Sequence, residues 1–414
     1  MFIREKYLSK ISNAFKNLPI VVLIGARQVG KTTIMKSFEY EKKTLFLLGQ
    51  DLQTAELFAD LATIEQYLKV YLNPELDGLL CIDEFQYINN ISTIMKLLTD
   101  KHQNLKILCS GSSSLDILQK VEESLAGRVR IIETTSLSFE EYLMFCDKKL
   151  YELYEKSDKN TPSSALTEPI MRKFSEYLVF GGFPRAALER NRDEKTELLN
   201  DIYQTYLLKD VRNYINNENI IGFNKLLRLL ASQIGNLVNV NNLSKESGLS
   251  YKTCENYLYL LEQMYIIKMI EPYQSNKKKT IGKMKKLYFL DLGLRNIIQR
   301  DFNDIEFRTD NGAVFENFVF LELYRNITAN GELQFYRISG GSEVDFVATT
   351  TKKKIAFECK FKTLEKAVSI AALNIFCEEE NIDEKYIINK NLNKYENETQ
   401  FLQGFFAGKV LARI

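Results

Sequence analysis

A strand that runs into the octapeptide GARQVGKT, from Gly25 to Thr32, has few folds open to it. The apolar run Val21 to Ile24 leads in, and a helical pattern from Thr33 to Phe38 leads out. A glycine-punctuated turn between strand and helix gathers backbone N–H groups around one spot, with the positive end of the helix behind them. The glycines let that backbone approach an anion, Lys31 can reach the β- and γ-phosphates of a nucleotide, and Thr32 can ligate Mg²⁺. This spacing is that of the Walker A phosphate loop. Gly25, Ala26, Arg27, Gln28, Val29, Gly30, Lys31, Thr32 and Thr33 are therefore expected to contact ATP. The competing reading is a glycine turn that holds no nucleotide.

A phosphate loop needs a partner that manages metal and water, and LLCIDEFQ supplies one about fifty residues downstream. Leu79 to Ile82 reads as a buried strand, and Asp83 and Glu84 stand at its carboxyl end, where open α/β sheets place their ligands. Asp83 is expected to hold the Mg²⁺ shell and Glu84 to orient or deprotonate the attacking water. The strand KILCSGSSS ends in Ser110, which can sense the γ-phosphate or merely cap its loop. In SLAGRVR, Arg128 and Arg130 are candidates for stabilising charge on the transferring phosphoryl group, in cis or from a neighbouring subunit of a homo-oligomer; a surface arginine is the alternative. The β-branched runs Ile20 to Ile24, Thr44 to Leu48, Leu79 to Ile82, Lys106 to Cys109 and Arg130 to Glu133 alternate with helical segments. That alternation predicts an α/β fold with a parallel sheet.

The chain of 414 residues is too long for a single core, so at least three domains are expected. Lys plus Arg number 55 against 54 Asp plus Glu, which rules out a global field drawing the molecule to DNA or an acidic membrane; any nucleic-acid site must be local. The six cysteines are scattered without a CxxC pair, a pattern that points to a reducing cytoplasm and away from a disulfide framework. Ile3, Tyr7, Leu8, Ile11 and Phe15 have amphipathic-helix spacing, unlike a signal peptide, and no apolar run is long enough to span a membrane. With His102 as the single histidine, catalysis must rest on carboxylates, Lys, Arg and metal.

Four segments are expected: a P-loop domain over 1–150, a helical lid or linker over 151–219, a winged helix-turn-helix over 220–290 and a further α/β domain over 291–414. In the third, Ser250 is placed to cap a helix over Tyr251 to Ile267. Tyr251, Lys252, Thr253 and Asn256 on its first turns could face base edges of DNA. The following loop brings Lys277, Lys278, Lys279, Lys283, Lys285 and Lys286 together for phosphate contacts, or simply forms a solvated lysine-rich hairpin. In the fourth, strand alternation puts Glu358 and Lys360 of KIAFECK on one face, next to a strand carrying Asp345. Asp345 and Glu358 could share Mg²⁺, Lys360 could polarise water or the scissile phosphate, and Glu316 could complete the shell from its helix.

Taken together, GARQVGKT, IDEFQ, SGSSS, SLAGRV and LSFEEY resemble the AAA-type ATPase domain of a large family of prokaryotic ATP-binding proteins. GGFP, LKDV, YFLDLGLRN and GAVFENFVFLELYR resemble that family's middle and C-terminal segments, the last a domain of unknown function. Asp345, Glu358 and Lys360 also match the PD-(D/E)xK restriction-endonuclease-like pattern, except that Val344 replaces the proline before Asp345. The resemblance implies a Mg-dependent ATPase that couples nucleotide state to DNA binding or processing. The alternative is a nucleotide-controlled regulatory switch whose nuclease-like domain is inactive.

Overall fold

The computed structural model describes residues 3–112, 125–157, 164–210, 214–215, 219–274, 284–337 and 343–412. Contacts divide the chain into two compact units, one of Met1–Thr135 with Gln263–Tyr265 and one of Ser136–Glu262 with Ile266–Ile414.

In the first unit, strands β1 (Ile20–Gly25), β2 (Thr44–Leu48), β3 (Gly78–Asp83), β4 (Leu105–Ser112) and β5 (Val129–Glu133) form a sheet in the order β2-β3-β4-β1-β5. Every pairing is parallel, as the five apolar runs predict. β1 and β3 are buried along their whole length, because side chains that alternate between faces meet helices on both. Ile20, Val22 and Ile24 join one core with Ile64, Leu68, Ile94 and Leu98 from two helices on that face. Val21 and Leu23 join another with Tyr7, Ile11, Ile34 and Met35. The amphipathic N-terminal helix forms over Glu5–Phe15 and buries Tyr7, Ile11, Ala14 and Phe15. A parallel sheet puts all strand ends on one edge, so the segments after β1, β3 and β4 converge there. Because the chain moves from β1 to the outer strand β2 and returns, that edge carries the crevice where such sheets bind ligands.

The second unit opens with helices, among them Phe139–Cys146, Ser164–Phe180 and Arg192–Ile202. Three more, Ile220–Ser232, Val240–Ser247 and Tyr251–Gln263, precede an antiparallel pair, β6 (Ile267–Ile270) and β7 (Lys286–Phe289). Ser250 caps as expected, its Oγ accepting from the Thr253 N–H at 3.1 Å. The helix Asn311–Tyr324 is apolar on nearly every side and buries Val314, Phe315, Phe318 and Leu321. Six strands follow: β8 (Glu332–Arg337), β9 (Glu343–Thr349), β10 (Lys354–Lys360), β11 (Glu384–Asn389), β12 (Lys394–Glu396) and β13 (Thr399–Gln403), in the order β12-β13-β11-β10-β9-β8. The sheet is mixed, with β9 antiparallel to β10 and β10 parallel to β11.

Candidate nucleotide site and a second carboxylate cluster

The phosphate-loop geometry starts with two glycines in conformations that side chains rarely adopt, Gly25 at φ +141° and Gly30 at φ +96°. A Cβ on Gly25 would lie 2.1 Å from the Thr134 carbonyl oxygen, so the loop fits against the end of β5 only without one. Gly30 leads directly into the helix Lys31–Ser37, whose first N–H groups face back toward the loop without intrahelical partners. Lys31 is buried, and its Nζ donates to the carbonyls of Gly25 at 2.8 Å and Ala26 at 2.7 Å. Burial pulls its ammonium down to about 8, against the opposing pull of Glu84 and Asp83. Ala26 and Val29 are buried, Arg27, Gly30 and Thr32 half-buried, and Gln28 and Thr33 exposed.

The acidic pair reaches this loop from β3. Thr32 Oγ1 donates to Asp83 Oδ2 at 2.7 Å although the two residues are 51 apart in sequence. Ser110 Oγ donates to the other oxygen of Asp83, so β3, β4 and the helix that follows β1 meet at one carboxylate. Glu84 takes a left-handed conformation, φ 53° and ψ 44°, which an L side chain occupies at a cost and which re-aims the chain after β3. Its carboxylate accepts from Gln86 Nε2 and from Ser112 Oγ at 3.3 Å, and Gln86 also donates to Ser112 at 3.1 Å. A Thr hydroxyl and one carboxylate fit Mg²⁺, which takes oxygen ligands and completes its octahedron with water and phosphate.

Three residues that sequence reasoning passed over shape this edge. Arg4 is buried, and its Nη1 donates to the carbonyls of Val29 at 3.1 Å and Thr135 at 2.8 Å, tying the loop to the end of β5. Gly49, just beyond β2, donates its N–H to the Asp83 carbonyl at 2.7 Å, and a Cβ there would lie 2.5 Å from the Glu84 carbonyl oxygen. Gln86, the last residue of IDEFQ, bridges Glu84 and Ser112 through its side-chain amide. The arginines lie elsewhere. Register pairs Ile20 with Val129 and Ile24 with Glu133, which puts Arg128 and Arg130 where the strands begin. At ~3.3 Å per residue they stand roughly 13–20 Å from the loop. Arg128 forms a bidentate pair with Asp100 at 2.6 and 3.1 Å, and Arg130 is exposed. His102 is remote from this chemistry; its Nε2 lies 3.2 Å from Glu65.

In the second unit, the expected carboxylates do converge. Lys360 Nζ donates to Glu358 Oε1 at 2.6 Å, which places both on one face of β10. Asp345 on β9 accepts the Cys359 N–H at 2.7 Å. Glu316 Oε1 accepts from Tyr288 at 2.6 Å and from Lys286 Nζ at 3.0 Å. Burial first, and Asp345 second, push both Glu316 and Glu358 up to about 7. Lys286 corrects the sequence reading. It is no phosphate-contacting surface lysine but 1% exposed, its charge taken inward to the carboxylates. Lys285 is half-buried and pairs with Glu271 at 3.1 Å. Lys252 is exposed, whereas Lys277, Lys278, Lys279 and Lys283 lie outside the described residues. Among the described residues, no group of three or more His, Cys, Asp or Glu could hold a metal ion.

All six cysteines are free, and no described helix is long and apolar enough to cross a membrane. Residues 17–143 match an AAA domain, 171–305 a domain of unknown function (DUF8612) and 311–404 another (DUF4143). An uncharacterized protein of Methanocaldococcus jannaschii is 28% identical over 371 residues, covering 84% of this chain and 78% of that one. One of Mycobacterium tuberculosis is 24% identical over 360 residues, covering 86% and 74%. A Walker-type ATPase of Pyrococcus abyssi superposes over 72% of this chain and 96% of its own, at 14% identity and a TM-score of 0.48. The site built from Gly25, Lys31, Thr32, Asp83 and Glu84 lies within the segment that matches an AAA domain.

Proposed function

We propose that this protein binds Mg-ATP at the loop Gly25–Thr33 and hydrolyses it. The observation that carries this reading is the chain of hydrogen bonds from Thr32 through Asp83 to Ser110, set beside buried Lys31 and Glu84 on one sheet edge. Lys31, now held by loop carbonyls, is positioned to exchange them for phosphate oxygens, and backbone N–H groups of the loop bind the rest of the triphosphate. Thr32 and Asp83 would hold Mg²⁺, which neutralises charge on the phosphates. Glu84 orients the attacking water and accepts its proton, with Gln86 and Ser112 fixing its carboxylate. The placement of Arg128 and Arg130 supports action from a neighbouring copy rather than within the protomer.

The partner controlled by this cycle is read as DNA. The support is three helices followed by an antiparallel pair, a winged-helix order, with Tyr251, Lys252 and Asn256 exposed on the third helix. Strand scission by the carboxylates of β9 and β10 is the nuclease-like extension of that reading. The second reading, a nucleotide-controlled switch with an inactive nuclease-like domain, is favoured by Lys286 inside the carboxylate cluster. Incubating the full chain with Mg-ATP and DNAs of several shapes, and scoring phosphate release together with scission, tests both. Phosphate release stimulated by DNA without scission is the expected result. Absence of phosphate release under all conditions contradicts the ATPase reading, and scission lost in Asp345→Ala contradicts the switch.

A further inference from the structure

Carboxylates at the heart of a phosphodiester-cleaving site need a divalent cation among them, because that ion both binds the phosphate and activates water. Here a different cation already stands there. Lys286 enters from β7, and its Nζ lies 3.0 Å from Glu316 Oε1, in ion-pair contact with Glu343 and 3.9 Å from Asp345 Oδ1. The three carboxylates come from the helix Asn311–Tyr324 and from β9, so one ammonium ties β7, a helix and the six-stranded sheet together. The side chain has no solvent route for its charge, being 1% exposed, and its three N–H donors suit convergence of several acceptors. Glu358 Oε1 is taken by Lys360, and its Oε2 is buried without a partner among the described residues. A divalent ion would have to sit between Asp345 and Glu358 or between Asp345 and Glu316, in either place against the positive charge 3.9 Å from Asp345 Oδ1. The donor set therefore does not fit the metal, because the protein's own ammonium already meets its charge.

We propose that the Lys286 ammonium is the resident cation of this cluster, standing beside the Asp345–Glu358 pair that a metal-dependent nuclease would use for its divalent ion, and that the cluster binds no divalent metal while β7 is in place. A buried carboxylate cluster is costly without a counter-charge, and an ammonium fixed to the backbone supplies one that chelators cannot remove and metals cannot displace. The C-terminal unit is accordingly a non-cleaving module. The inference rests on the cluster's own geometry and is independent of whether the first unit hydrolyses ATP.

The test is Mn²⁺ binding to the full chain without nucleotide, followed by electron paramagnetic resonance of free Mn²⁺. Wild type, Asp345→Asn and Glu358→Gln should bind Mn²⁺ alike, since the cluster contributes nothing. Lys286→Met should gain one site at least tenfold tighter than any in wild type, and Lys286→Met/Asp345→Asn should lack it. A wild-type Mn²⁺ site that Asp345→Asn removes overturns the proposal, and that comparison decides even if Lys286→Met does not fold. A folded Lys286→Met protein, judged by circular dichroism, that gains no site overturns it as well.

Discussion

Asp310 sits between two guanidinium groups, 2.6 Å from Arg295 and 2.8 Å from Arg308. Burial alone would raise its carboxyl, but Arg308 and Arg295 outweigh that and hold it at about 2. A depressed acid stabilises the fold fully above its unfolded pKa and loses that contribution as pH falls through the folded value. The full shift would be worth ~2 kcal/mol, reduced to ~1 kcal/mol by screening because the group is half-exposed. Asp310→Asn should therefore lower the urea midpoint at pH 5, with the gap from wild type closing between about pH 4 and 2. A gap that is unchanged at pH 2 removes the ion-pair account. Residues of this kind were invisible in the sequence, as were Arg4 and Lys286. Arg4 acts on Thr135, 131 residues away, and Lys286 on Glu316 and Glu343, so nothing local signals either role. Lys286 was misread for a definite reason: its neighbours are lysines, and composition alone made it look solvated. Lys31, Thr32, Asp83 and Glu84 were legible because phosphate and metal chemistry needs those residue types within two short motifs, each next to a readable strand.

At the level of elements, the five parallel strands were read to within three residues at their ends, because short apolar runs that alternate with helical segments and are bounded by turn signals read as buried strands. What the runs do not show is how closely one strand's end approaches another's. Gly49 is the example, since its missing Cβ lets β2 pass within reach of the turn that aims Glu84. Gly49→Ala places a methyl against the Glu84 carbonyl and must shift the turn, while the Gly25–Thr32 loop is untouched. A displacement of the water-orienting group by a fraction of an ångström to 1 Å should slow phosphate release ~10- to 100-fold with nucleotide affinity nearly unchanged. Equal losses of affinity and turnover would mean that the loop itself had moved. In the second unit, the pairing of β9 with β10 was anticipated from alternation around Asp345 and Glu358. The order of the remaining strands was not, since mixed sheets are set by connections that carry no periodic signal.

For the whole molecule, the central question is whether one copy suffices. Arg128 and Arg130, the candidates for stabilising the transferring phosphoryl group, stand at the far end of β5 from the loop, so a chain acting alone lacks that charge from them. If a neighbouring copy supplies it, mixing inactive Glu84→Gln with an inactive Arg128→Ala/Arg130→Ala protein should restore part of the turnover, because one mixed interface joins an intact water site to an intact arginine. No recovery, with each variant still self-associating, would exclude these arginines from that role. The account as a whole stands on Glu84 acting upon water at a triphosphate held by Lys31 and Thr32. The most direct measurement is phosphate release by Glu84→Gln alongside its affinity for Mg-ATP. The account predicts affinity within a few-fold of wild type and turnover reduced ~10²- to 10⁴-fold. Turnover equal to wild type at unchanged affinity would contradict it.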